Sequence, residues 1–240
     1  MTTKNRTIVI EGVTRRFGRK PVLRGIDLEV NEGEFLSIFG PNGAGKTTLI
    51  KVMATLLKPS AGTVHVAGLD LRENPIEIRR RIGVVSHQTF LYDELTAYEN
   101  LKYYGKMYDV PHLKEQIHEL ISRVGLESRL HDRVRTLSRG MQQRLSIARA
   151  MIHNPPIILL DEPETGLDQY AGEMLLEVLA AQNPVKRTVV MTTHNLERGL
   201  EMGSHIAILA KGKIAYEESK QSLNLASLQE AYLHHTGAGQ

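Results

Sequence analysis

Apolar residues in the first third of the chain come in short alternations and runs, which is the period of strands rather than helices. Thr7 to Val13 and Val22 to Val30 read as paired strands, and in the second Ile26, Leu28 and Val30 alternate with charged residues. Asn31-Glu32-Gly33 is a turn signal, and Phe35 to Phe39 is a compact run expected to be a buried strand. The period then changes: Leu49, Ile50, Met53, Ala54, Leu56 and Leu57 fall on one face of a helix. Pro59-Ser60-Ala61-Gly62 breaks the chain, Thr63 to Ala67 reads as a strand, Pro75 to Arg81 as a helix and Ile82 to Val85 as a buried strand. From Leu95 to His153 the pattern is helical, with breaks near Asp109-Val110-Pro111 and at Gly125. Strand patterns return at Ile157 to Leu160, Thr188 to Thr193 and His205 to Ala210, and Lys211-Gly212-Lys213 turns into a last short strand. Strands alternating with helices predict an α/β fold: a mostly parallel sheet covered by helices, an N-terminal antiparallel β patch and an inserted helical lobe. Thr236 to Gln240 is expected to fray.

Composition narrows the classes. The 240 residues are 24% charged and 41% hydrophobic, with a formal net charge of +3. That charge does not by itself imply nucleic acid, but it is compatible with nucleotide phosphates or an anionic membrane surface. There is no cysteine, which excludes disulfides, thiol chemistry and Cys-ligated zinc. Met1 to Asn5 is polar and Ile8-Val9-Ile10 is too short for the apolar core of a secretory signal. The longest apolar run, Ile206 to Ala210, is far below the roughly 20 residues needed to span a bilayer. A membrane role is therefore expected only through a partner.

The chemistry concentrates in Gly40-Pro41-Asn42-Gly43-Ala44-Gly45-Lys46-Thr47-Thr48, which reads G-x-x-x-x-G-K-T, the P-loop pattern. It lies between the expected strand Phe35–Phe39 and a helix start, as the motif requires. Glycines let backbone N–H groups approach phosphates, and the helix N-terminus adds partial positive charge. Lys46 is expected on the β- and γ-phosphates of ATP, and the Thr47 hydroxyl on Mg²⁺. A second piece is Ile157-Ile158-Leu159-Leu160-Asp161-Glu162, four apolar residues ending in two carboxylates, a Walker B pattern. Asp161 is expected to hold Mg²⁺ and Glu162 to orient or deprotonate the attacking water. Each feature has a plainer alternative, an ordinary turn or a surface strand cap, and their co-occurrence argues against both.

Leu137-Ser138-Arg139-Gly140-Met141-Gln142-Gln143-Arg144 begins a helix, with Met141, Leu145, Ala148 and Ile152 at helical spacing, and Ser138 stands 23 positions before Asp161. The segment resembles the signature motif L-S-G-G-Q of ATP-binding cassette (ABC) ATPases, with Arg139 in place of a glycine and Met141 in place of the glutamine. Ser138 and Gly140, which contact the γ-phosphate in that family, are kept. The resemblance covers nearly the whole chain. It implies that Phe17 stacks on adenine, that Gln88 touches Mg²⁺ or water and relays to a partner, that Asp168 is the D-loop acid, and that His194 is the switch histidine on the γ-phosphate. It implies a single domain in which residues 1–88 and 156–216 form the nucleotide-binding core, 89–155 the helical signature subdomain and 217–240 a tail.

In the family, ATP lies between one protomer's P-loop and the other's signature helix, so one copy of each motif implies a dimer, expected to be a homodimer. The implied activity is ATP hydrolysis coupled to transmembrane transport. The implied partners are membrane permease subunits, which place the chain on the cytoplasmic face of the cell membrane, and no nucleic-acid partner is expected. A soluble ABC ATPase acting on DNA or ribosomes and an unrelated P-loop enzyme such as a kinase or GTPase are the other classes, and the signature helix argues against the last. Only 92 positions separate Lys46 from Ser138, too few for the long insertions of DNA-repair relatives. Leu95-Thr96-Ala97-Tyr98-Glu99-Asn100-Leu101 is similar to a segment of export-type cassettes. More narrowly, Ile82 to Tyr92, Leu137 to Arg144 and Thr165 to Gln169 resemble the ATPase subunit of the cytochrome c biogenesis system, the haem exporter, with multidrug or lipid export as the alternative. Tyr92, Tyr98, Tyr103, Tyr104 and Tyr108 are five of eight tyrosines and fall after Gln88, where a partner-facing groove is expected. Helix packing with hydroxyls at the rim accounts for part of them. Arg79-Arg80-Arg81 reads as a solvated face.

Overall fold

The computed structural model describes residues 5–163 and 187–237, which form parts of two compact units. The first comprises Met1–Ile82, Pro156–Glu162 and Val185–Gln240, and the second Gly83–Pro155 with Pro163–Pro184. The D-loop segment with Asp168, and residues 238–240, lie outside the described residues.

In the first unit the strands β1 (Arg6–Phe17) and β2 (Lys20–Asn31) form a long antiparallel hairpin. With β4 (Ala61–Val66) and β5 (Leu69–Asp70) they make an antiparallel sheet in the order β2-β1-β4-β5, the patch expected from the alternating pattern. Ile26, Leu28 and Val30 turn inward, as the period of two requires. The hairpin outruns both sequence-read strands, and Gly18-Arg19 is its whole turn.

The second sheet of this unit contains β3 (Phe35–Phe39), β7 (Ile157–Asp161), β8 (Thr188–Thr193), β9 (His205–Ala210) and β10 (Lys213–Ser219), in the order β10-β9-β3-β8-β7. β3 pairs in parallel with β8 and β9, and β7 with β8, while β9 and β10 are antiparallel. The parallel strands are buried almost without alternation, which is why their sequences are continuous apolar runs. α1 (Lys46–Met53) packs against β7. α6 (Leu196–Met202) and α7 (Leu225–Thr236) enclose a cluster of Phe39, Ile206, Ile208 and Leu228. α2 (Pro75–Arg81) starts on a proline, whose missing N–H costs nothing in the first turn.

One expectation fails at α1. The apolar spacing carried the helix face on to Leu56 and Leu57, but α1 ends at Met53. Thr55 takes a left-handed backbone with φ of 61°, and Leu56 is 46% exposed. A β-branched residue in that region cannot continue a right-handed helix.

β6 (Ile82–Val85) leads into the second unit, which packs α3 (Ala97–Met107), α4 (Leu113–Arg123) and α5 (Arg139–Met151) against one another. The two breaks read from sequence coincide with left-handed residues, Asp109 and Gly125. Between α4 and α5 the chain is not α-helical: it makes two 3₁₀ turns, Glu127–Arg129 and Val134–Thr136. α3 opens with a capping box, in which Thr96 accepts from the Glu99 N–H and Glu99 from the Thr96 N–H. Buried Asn100 fixes the loop ahead of it, accepting from the Tyr92 N–H at 2.8 Å and donating to the Tyr92 and Thr96 carbonyls.

Candidate functional site

The P-loop follows β3 directly and wraps the start of α1. Its geometry needs glycine at two points. A Cβ on Gly40 would sit 2.2 Å from the Leu209 carbonyl oxygen. Gly45 has φ of 113° and lies against β2, where a Cβ would meet Leu23 Cδ2 at 2.9 Å and the Val22 carbonyl at 3.4 Å. The loop therefore exists only because these positions carry no side chain. Ala44 and Gly45 are buried, while Asn42 and Gly43 are exposed at the loop tip and Pro41 and Thr48 are half-buried.

Within the first unit, five expected site residues come together. Buried Lys46 donates from Nζ to the Gly40 carbonyl at 2.6 Å and lies 3.2 Å from Glu162 Oε1. The Thr47 hydroxyl donates to Asp161 Oδ1 at 3.1 Å, so the helix start and the end of β7 share one oxygen cluster. Exposed His194 Nδ1 stands 3.6 Å from Glu162 Oε2. The set Thr47 Oγ1 and Asp161 carboxylate consists of hard oxygen donors, which fits Mg²⁺.

The sequence reading passed over Thr192, although it stands two positions before His194. Its fully buried hydroxyl donates to Asp161 Oδ1 at 2.9 Å and accepts from the Glu162 N–H at 3.1 Å, so it orients both carboxylate residues. The available signal was a pair of threonines closing the apolar run Val189-Val190-Met191. Glu162 itself has a left-handed backbone, φ 46°, where β7 stops. Such backbone strain costs of order 1–3 kcal/mol and persists where neighbours enforce it. The enforcing contacts are the N–H bonds to the Thr192 carbonyl and hydroxyl.

Phe17 ends β1, paired with Lys20 across the hairpin turn, and is 47% exposed. A few residues beyond Lys20, Val22 and Leu23 are the residues that a Cβ on Gly45 would meet, so β2 passes beside the P-loop soon after the hairpin turn.

The second unit carries the other expected residues. Ser138 caps α5, accepting from the Met141 N–H at 3.3 Å. Gly140 and Met141 lie in its first turn, half-buried. Arg139 donates to His87 Nε2 at 3.0 Å, which brings the altered signature residue onto the segment of Gln88. His87, Gln88, Phe90, Asp93, Arg139 and Gln142 line a cavity of about 360 Å³ in this unit. Arg149, also unnoticed in sequence, is buried beneath the rings of Phe90 and Tyr104 and donates to the Val84 carbonyl at 2.6 Å. Burial pushes its guanidinium pKa down, and the nearby Tyr104 and Tyr108 oppose that shift. Tyr92 and Tyr103 are each 47% exposed and meet edge to face. Among the described residues, no helix is long and apolar enough to cross a membrane.

Comparison with known proteins agrees with this geometry. Residues 23–165 match the family described as ABC transporter. The chain is 36% identical over 223 residues to the ABC transporter ATP-binding protein NatA of Bacillus subtilis (strain 168), covering 90% of this chain and 91% of that protein. It is 33% identical to the Nod factor export ATP-binding protein I of Cupriavidus metallidurans, covering 85% of this chain and 68% of that one. Among solved structures, the dimeric post-hydrolysis state of the ATP-binding cassette MJ0796 bound to ADP and Pi superposes with a TM-score of 0.81. The identity is 32%, over 89% of this chain and 98% of that one. A P-loop built on Gly40 and Gly45, with Lys46, Asp161 and Glu162 converging on it, thus belongs to an ATPase that powers transport, and the chain is a member of the ABC transporter family, of its ATP-binding subunits.

Proposed function

We propose that this chain is the ATP-hydrolysing subunit of an export-type transporter, acting as a pair of protomers on membrane permease subunits at the cytoplasmic face. The observation that carries the hydrolytic part is the convergence of Lys46, Thr47, Asp161, Glu162 and His194 on one P-loop. Export draws its support from the described role of the Nod factor relative.

In this reading the backbone N–H groups of Gly43 to Thr48 cradle the phosphates and Lys46 neutralises the β- and γ-oxygens. Thr47 and Asp161 would hold Mg²⁺, whose charge would offset that of the phosphates; the role read for Gln88 is a contact to the metal or its water. Glu162 aligns water with the γ-phosphorus and takes its proton, while His194 stabilises the charge on the γ-phosphoryl oxygens. Phe17 stacks on the base. Ser138, Arg139, Gly140 and Met141 of one protomer face the nucleotide of the other, and the role read for Asp168 is that of the D-loop acid. Tyr92 and Tyr103 offer a partner-facing surface, since exposed paired aromatics are costly to leave in water. Haem as the exported substrate rests on the three segments quoted above, and neither relative is described as a haem exporter.

The test is to tag the Glu162→Gln chain, add ATP to native membranes and identify what is captured. The amide keeps the side-chain shape and removes the base, so the expected result is stable capture of a multi-span permease. Cytochrome c maturation factors alongside it would establish haem export. Ribosomes or DNA-repair proteins without a membrane partner would overturn transport.

A further inference from the structure

Arg15 is a charged residue that the catalytic reading does not use. It stands two positions before Phe17 on β1, with its guanidinium carbon 4.8 Å from the centroid of the Phe17 ring. Nη1 is anchored on the Lys58 carbonyl at 2.8 Å, in the loop that follows α1. The same loop is tied to β1 twice more, by the Arg16 N–H to Ser60 Oγ and by the Ser60 N–H to the Thr14 carbonyl. Arg15 Nε is buried with no hydrogen-bond partner among the described residues. A buried, unpartnered guanidinium N–H is costly, so the arginine is held there by its other contacts.

We propose that Arg15 is a positioning residue for the nucleotide base, acting through Phe17. The inference rests on the reading of Phe17 as the base-stacking residue. The guanidinium carbon stands over one face of the ring and leaves the other as the stacking platform. Because Arg15 is fixed to the loop after α1, the ring is fixed in register with the helix that carries Lys46 and Thr47. The charge behind the ring also matters. It draws π density toward itself and leaves the free face less negative, which favours an electron-rich purine over water. Arg15 touches no part of the nucleotide and contributes nothing to the phosphate cradle.

The experiment measures binding of Mg²⁺-ATP and of Mg²⁺-tripolyphosphate, which keeps the phosphates and lacks the base. The proteins are the full chain, Arg15→Met, Arg15→Lys, Phe17→Ala and the Arg15→Met/Phe17→Ala double variant. Arg15→Met is expected to weaken ATP about three- to tenfold while tripolyphosphate changes by less than about twofold, from the size of a partly desolvated cation–π contact. Arg15→Lys, which keeps the charge but not the plane, is expected to show the same split with a smaller loss, and it serves if the methionine variant does not fold. In the Phe17→Ala background, Arg15→Met should cost nothing further. Equal losses for both ligands, an undiminished loss without Phe17, or no loss at all would overturn the proposal while leaving Phe17 as the base platform. Unchanged ATP binding in Phe17→Ala alone would instead overturn the base-stacking reading, and the proposal with it.

Discussion

At Glu162 a sheet strand ends and a left-handed backbone begins, held there by a single threonine. Thr192 supplies both its carbonyl and its hydroxyl to the Glu162 N–H, and the same hydroxyl donates to Asp161. Thr192→Val keeps the shape and deletes these hydroxyl bonds. It is expected to cost about 1–3 kcal/mol of stability, because buried Asp161 loses a donor. ATP turnover should fall about 10- to 100-fold, the usual scale for losing an outer contact to a metal-binding carboxylate. Thermal unfolding and steady-state ATPase assays check the two effects separately. Lys46→Ala removes the cation whose Nζ lies 3.2 Å from Glu162 and is expected to abolish ATP binding, measured with a fluorescent ATP analogue.

At the scale of elements, the junction of β3, β9 and β10 is tied by charge. His205, the first residue of β9, contacts Glu217 Oε1 at 3.1 Å through Nε2 and Glu34 Oε1 at 2.7 Å through Nδ1. Hydrogen bonds to Glu217 and then to Glu34 raise its pKa to about 9. Burial alone would raise the Glu34 carboxyl, but His205 and the backbone and side-chain N–H groups of Asn31 outweigh it and hold the pKa below the ordinary value. The histidine raised from 6.5 contributes stability in full below about pH 6.5 and loses it as pH rises through about 9. Glu34 contributes above its ordinary 4.5 and loses its part on acidification. His205→Gln should therefore lower the unfolding temperature most between about pH 5 and 6.5, with the gap to the parent protein closing by about pH 10. A gap independent of pH would show that the contact is not ionic.

At the scale of the whole molecule, the phosphate cradle belongs to one compact unit and the signature helix to the other. In the proposed reading, one copy of each motif per chain means that two protomers complete two sites. Glu162→Gln with ATP is expected to move the protein from monomer to dimer in size-exclusion chromatography with light scattering, and ADP is not. Persistence of the monomer under both nucleotides would count against the paired site.

The sequence by itself determined the strand–loop–helix frame of the P-loop, the continuous buried strands and the breaks at Asp109 and Gly125. Each depends on a local property: backbone freedom at glycine, a proline that cannot continue a helix, or an apolar run long enough for a strand. The places of Lys46 at the start of α1 and Asp161 at the end of β7 were legible because the glycines before the one and the apolar run before the other mark where those elements begin and end. Where α1 stops was not legible, since the left-handed turn at Thr55 overrides an apolar spacing that runs on to Leu57. Thr192 and Arg15 were equally silent. Thr192 becomes a scaffold only when β8 pairs beside β7, and Arg15 a brace only when β1 lies against the loop after α1. Such contacts join residues tens of positions apart, and pairing between strands and loops is decided by tertiary packing rather than by any pattern along the chain.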